Sequence, residues 1–334
     1  MTTFDPDRAA SLQAAKLRAL TRDRVAASCA ASPFPGGAAL VDGPVGWVLP
    51  GEQARRGLGA VLAWALRSGV AEVHVVVDDP AVAGVLARQA VAFAPAPSVW
   101  RVVGTDRVAA TPVPLVPPAP APDAPELRAL LREAGLEVVD EDGMALGELR
   151  GLEVARIVAG ADGRPELGVG VGRFDREVGE MTFGHLAPPE RLARVVDVVA
   201  GYRRPGAPPH PLNQLVPERW LRAGLVDEPA LVGAMALRPV PSARGRANLL
   251  EAGRAAAVGT DLEGRPLVVV CSSGVDLDLV PGAADDRALH APGARLVLAV
   301  PARDALPVTH RLAAALADPA EVFPIDGDWR IPWA

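Results

Sequence analysis

The chain has 334 residues, half of them hydrophobic and 22% charged, which is enough apolar chain to bury real cores without disulfide or metal staples and excludes global disorder. The net charge of −6 divides into +2 over residues 1–116, −5 over 117–220 and −3 over 221–334, so nucleic-acid binding is not supported by net charge. The apolar runs at 229–237 and 296–301 are too short for a bilayer, the N-terminus lacks a signal-peptide layout, and Cys29 and Cys271 stand outside any metal spacing, so the expectation is a cytoplasmic protein with reduced thiols and no membrane partner.

Residues 1–31 are predicted to form one amphipathic helix. Leu12, Leu17, Leu20 and Val25 fall on one side, with Arg8, Arg18, Arg22 and Arg24 around them, and Pro33, Pro35, Gly36 and Gly37 end it. Strands at 38–41 and 45–49 flank a turn at Asp42-Gly43-Pro44. A helix over 52–67 turns Leu58, Leu62, Ala65 and Leu66 inward and stops at Gly69. A strand at 72–77 carries His74, read as structural because no partner sits at ligand spacing. A helix over 81–93 and strands at 99–103 and 107–110 complete a small three-layer α/β domain, residues 1–111.

Seven prolines crowd residues 112–125. Such density blocks helix and sheet and predicts an extended linker. A helix over 125–134, a strand at 136–139, an acidic turn at Asp140-Glu141-Asp142-Gly143 and a hairpin of 152–158 with 166–171 follow. The helix over 188–202 turns Leu192, Val195, Val196 and Val199 inward. Residues 126–210 thus read as an α+β segment. The stretch 203–211, RRPGAPPHP, is a connection. In the C-terminal α/β segment, 211–334, helices are predicted at 217–223, 229–236 and 307–317, and strands at 267–271, 275–280 and 295–301. The fold class is therefore α/β and α+β, with a larger mixed-sheet C-terminal region behind the linker.

The richest chemistry lies at 268–310. Cys271, Ser272 and Ser273 end an apolar strand, where loops carry ligand contacts. On the predicted strand 275–280, Asp276 and Asp278 would face the same side. Asp304 and His310 follow the next strand, with Arg303 placed to hold an anion. Convergence of Asp276, Asp278, Asp304 and His310 would suit a catalytic site, with Asp276 and Asp278 as ligands of a divalent cation. The bland alternative is a half-exposed strand whose aspartates make ordinary ion pairs.

A second acidic group, Glu148, Glu153 and Glu166 with Asp175, Arg176, Glu177, Glu180 and His185, superficially suits phosphoryl transfer. It lacks a lysine at nuclease spacing, since lysine occurs only at position 16. Gly168, Gly170 and Gly172 alternate with valine inside a strand pattern and mark a close backbone approach rather than a phosphate loop. Trp220, in HPLNQLVPERWLR, is a binding candidate or, better, the anchor of an interdomain brace.

The phrases GELRGLEVARIV, GVGRFDRE, RRPGAPPHPLNQLVPERWLR and CSSGVDLDLVPGAADD resemble a family of uncharacterised proteins from GC-rich actinobacteria. That resemblance implies a bacterial cytoplasmic origin and brings no catalytic residue or cofactor. The N-terminal layout is faintly similar to restriction-endonuclease-like folds without their carboxylate–lysine signature, and a fold likeness confers no activity.

The reading of the whole is a non-catalytic binding or scaffold protein, with a protein partner left open and no cofactor evident. The alternatives are a divalent-cation-dependent hydrolase or phosphodiesterase on the C-terminal acidic strands, and a nucleic-acid-processing accessory protein contacting phosphates through Arg55, Arg56, Arg67, Arg88 and Arg101.

Overall fold

A computed structural model describes residues 6–51, 57–172, 175–176, 185–245, 248–249 and 253–330. The chain is a mixed α/β protein, with three sheets among the described residues. It divides into two compact units. Unit 1 comprises residues 1–115, 277–285 and 306–320, and unit 2 comprises 116–276, 286–305 and 321–334.

Unit 1 is built on a six-stranded sheet in the order β1-β2-β3-β4-β5-β6. The strands are β1 (Ser32–Phe34), β2 (Gly37–Asp42), β3 (Val45–Leu49), β4 (Glu72–Val77), β5 (Ser98–Val103) and β6 (Asp106–Ala109). The outer pairs are antiparallel, whereas β3, β4 and β5 run parallel. Helix α1 (Pro6–Thr21) lies on β2 and β3 and buries Leu17 and Leu20. It ends ten residues earlier than the predicted 1–31, and Leu12 is exposed. The chain turns after Thr21, and Asp42 accepts a hydrogen bond from the Ala26 amide at 3.0 Å.

Helix α2 (Gly59–Ser68) ends at Gly69, whose φ of 68° is the left-handed C-cap conformation open to glycine. Residues 52–56 of the predicted helix, Arg55 and Arg56 among them, lie outside the described residues. Helix α3 (Pro80–Ala90) starts where Asp79 accepts from the Ala81 and Val82 amides, with Pro80 in the first turn. Arg88 and Gln89, near its end, both hydrogen-bond the Asp285 carboxylate. His74 packs flat on Trp47, accepts from the Trp100 indole at Nδ1 and meets Glu72 at Nε2. Burial pulls its pKa down, and the ring sits in the core as a neutral structural group.

The proline-rich stretch forms neither helix nor strand over residues 110–124. Backbone hydrogen bonds hold it nonetheless: Val113 donates to Gly84 in unit 1, and Gly143 donates to Ala119 in unit 2.

Unit 2 holds two sheets. The first has the order β10-β9-β8-β7, from β7 (Glu137–Glu141), β8 (Met144–Leu149), β9 (Leu152–Ala159) and β10 (Pro165–Val169). Helices α4 (Pro125–Glu133) and α5 (Pro188–Tyr202) cover a core of Leu131, Leu152, Ile157, Leu192 and Val199. The acidic turn expected after residue 139 is the tip of the β7–β8 hairpin, where Asp142 and Gly143 both take positive φ.

The second sheet has the order β11-β12-β13-β14-β15, from β11 (Ala234–Val240), β12 (Arg254–Asp261), β13 (Pro266–Ser272), β14 (Arg295–Pro301) and β15 (Glu321–Ile325). Strands β13, β14 and β15 are parallel. From Leu267 to Ser272 and from Leu296 to Pro301 every residue is buried, the run expected of a parallel strand covered on both faces. Helix α6 (Pro217–Asp227) packs on this sheet and continues four residues past the predicted 217–223.

Two expectations are corrected here. Residues 234–236 begin β11 instead of ending a helix, after a short helical turn at Pro229–Val232. Residues 275–280 are not a strand. They lead into helix α7 (Leu279–His290), preceded by Asp278, whose carbonyl accepts from the Gly282 amide. Pro281 falls in the first turn, where its missing N–H costs nothing. Residues 279–287 are buried throughout, so no amphipathic stripe marked the helix in sequence. Helix α8 (Pro307–Ala314) completes unit 1 against α2.

Candidate functional site

Residues 275–280 are a loop and the start of a helix, so Asp276 and Asp278 are not aligned on one strand face. Asp278 and His310 belong to unit 1, Asp276 and Asp304 to unit 2. Asp278 accepts from the Gly59 amide at 2.9 Å, and His310 is exposed on α8. Asp304 accepts from the Gly274 amide at 2.7 Å and lies 3.8 Å from Arg303. Among the described residues no group of three or more His, Cys, Asp or Glu side chains is placed to hold a metal ion.

Cys271 and Ser272 end β13 inside the protein. Cys271 is fully buried, and burial pushes its thiol up to about 12, far from the thiolate that nucleophilic work requires. Ser272 is 1% exposed and its hydroxyl makes no hydrogen bond. Ser273, the next residue, is half-buried. Trp220 is also internal, edge-on to Trp329 with Arg203 stacked 4.5 Å from its ring centroid.

Glu148, Glu153 and Arg176 of the second acidic group sit in buried ion pairs. The Glu148 carboxylate is buried on β8 and receives Arg219 at 2.6 Å and Arg222, both from α6. Arg219 also chelates Glu141 on β7. Burial works against its charge, but Glu148 and Glu141 outweigh that and push its pKa up. Glu137 lies opposite Glu148 on β7, with Arg222 3.8 Å from its Oε2. Burial, reinforced by Glu148, pushes Glu137 up to about 7. Glu153 is likewise held by Arg156 and Arg176. Arg203 donates to the carbonyls of Arg150, Leu212 and Leu215. Burial brings its guanidinium down to about 9, which leaves it a cation at neutral pH.

These contacts give the two unfamiliar motifs a structural meaning. GELRGLE supplies carboxylates, PERWLR supplies the arginines, and the pairs pin α6 to the β7–β8 hairpin. Trp220, between the two arginines in sequence, lies in the core of the second sheet. Glu166 takes no part in these pairs; its side chain lies over Gly160, at the far end of the β9–β10 hairpin. Of the remaining members of that group, Glu177 and Glu180 lie outside the described residues. Gly170 has φ 138°, and a Cβ there would come within 2.9 Å of the Arg176 amide nitrogen, the close approach its strand setting suggested.

Unit 2 contains a largely apolar cavity of about 530 Å³ between α5, the end of β10 and the segment after His210. It is lined by Val169, Val171, Val195, Val198, Val199, Leu212 and Leu215, with Asp175, Arg191 and Arg194 as its polar groups. The α5 positions 191, 194, 195, 198 and 199 repeat at i, i+3, i+4, i+7 and i+8, one face of a helix. Asp175 accepts from the Val171 amide at 2.7 Å and so closes the loop after β10.

Reasoning on sequence missed Arg191 and Arg194 because it read α5 as an inward stripe against solvent. The available signal was two arginines continuing the line of Val195 and Val198. Comparison with known proteins returns no matching family model, no matching curated protein and no matching solved structure.

Proposed function

We propose that this is a non-catalytic cytoplasmic binding protein whose ligand is a small, mainly apolar molecule held in the α5 cavity. The cavity carries the reading. Its volume of about 530 Å³ lies within the ~300–1,000 Å³ typical of small-molecule sites, and an apolar lining with few polar groups is their usual composition. Arg191 and Arg194 stand at one end of the valine face to orient a polar or anionic head. Both cysteines are free thiols, which fits a reducing compartment. Among the described residues no helix is long and apolar enough to cross a membrane.

The test is titration of the full chain with anilinonaphthalene sulfonate, an apolar fluorophore with one anionic group. Saturable one-to-one enhancement is expected, lost in Val195→Trp and in Leu212→Trp, each of which fills the cavity. Undiminished saturable binding in both folded variants would refute the assignment.

A further inference from the structure

A second pocket lies elsewhere in unit 2, at the carboxyl end of the parallel strands. In the β14–β15 ladder Pro301 is opposite Ile325, so both strands deliver their following loops to the same edge of the sheet. Between those loops is a cavity of about 370 Å³ lined by Pro301, Ala302, Arg303, Ile325, Gly327, Asp328, Trp329 and Arg330. Loops that follow parallel strands converge at this edge while the strands stay fixed beneath them.

Two arginines line the pocket from the segments that follow β14 and β15. Arg303 is 72% exposed, and Asp304 is 3.8 Å away, beyond hydrogen-bond reach. Asp304 gives its other oxygen to the Gly274 amide. Arg330 stacks 4.5 Å from the Trp329 ring centroid. Asp328 is 3.7 Å from its Nη1 and caps the Arg330 amide instead. The Nε of Arg330 is buried and makes no hydrogen bond. Neither neighbouring carboxylate closes a hydrogen bond on its guanidinium, and the Nη groups of both arginines fit an oxyanion. Pro301, Ala302 and Ile325 supply an apolar wall beside them.

We infer that Arg303 and Arg330 form a binding site for a small organic oxyanion, a phosphate monoester or a carboxylate, with its carbon body against Pro301, Ala302 and Ile325. No bond is made or broken. The site is separate from the α5 cavity in both position and lining.

Calorimetric titration of the full chain at low ionic strength tests it, with phenyl phosphate and benzoate as probes and benzyl alcohol as the uncharged control. Saturable heat is expected with at least one anion and none with benzyl alcohol. R303Q and R330Q should each weaken binding about tenfold, the loss of one charge-assisted pair, and the double variant should abolish it. Preference for one probe tells phosphate from carboxylate. Val195→Trp should leave this binding unchanged, so the two sites fail or stand separately. Absence of saturable heat with both anions at millimolar concentration, or equal heat in the folded double variant, overturns the inference.

Discussion

Glu137 and Glu148 face one another across the β7–β8 ladder and share one arginine, Arg222, which hydrogen-bonds Glu148 and stands 3.8 Å from Glu137. The guanidinium is thus committed to the more deeply buried carboxylate. Glu137 keeps a buried oxygen with no hydrogen bond, and its pKa rises from 4.5 to about 7.

That asymmetry predicts a pH dependence. A carboxyl whose pKa is raised on folding binds its proton more tightly in the folded state. Its contribution is full below pH 4.5 and is lost as pH rises through about 7. The ceiling is about 3 kcal/mol, at ~1.36 kcal/mol per pKa unit. Urea melts of wild type should therefore lose stability between pH 5 and pH 8 by more than those of Glu137→Gln, which removes the titration. Parallel losses in the two proteins would contradict this account.

Glu148→Ala should be far more damaging. It leaves Arg219 and Arg222 buried without their shared acceptor, and breaking a buried pair from one side costs about 3–5 kcal/mol. Chemical denaturation measures it. Glu148→Gln, which keeps two polar atoms in place, should recover part of the loss.

Arg203→Met should destabilise unit 2 by about 3 kcal/mol or more, since three carbonyls lose charge-assisted donors worth roughly 1.5–3 kcal/mol each and the methionine restores only packing. A lowered Tm with unchanged far-ultraviolet circular dichroism at low temperature is the expected result.

The two thiols should differ in reactivity. Cys29 is partly exposed, whereas Cys271 is fully buried with its pKa near 12. Alkylation followed by mass spectrometry should modify Cys29 in the native protein and Cys271 only after unfolding. Rapid native labelling of Cys271 would mean that β13 is more accessible than its packing implies.

Gly151 joins β8 to β9 at φ 75°, and a Cβ there would lie 2.2 Å from the Arg219 carbonyl carbon. Gly151→Ala should therefore cost about 2 kcal/mol or more, combining left-handed strain with displacement of α6. Gly163→Ala, at φ 79° with nothing within 4 Å, carries the strain alone and should cost about 1 kcal/mol. Paired denaturation curves separate the two effects.

What the sequence determined by itself was local. The turn at Asp42-Gly43-Pro44, the helix Pro188–Tyr202 and the strands Glu72–Val77 and Arg295–Pro301 coincide with their predicted bounds or nearly so, because turn residues, helical periodicity and apolar runs are properties of neighbours along the chain. β12 escaped notice because its alanines have little strand preference; it is a strand because β11 and β13 pair with both its edges. β15 carries Pro324, which an edge position tolerates. The long-range charge pairs were decided by tertiary structure. Glu148 meets Arg219 71 positions away in sequence, Asp276 and Asp278 lie on a loop instead of a strand face, and Arg191 and Arg194 border a cavity made with β10. Charge pairing and cavity shape depend on which distant surfaces meet, and no local pattern encodes that meeting.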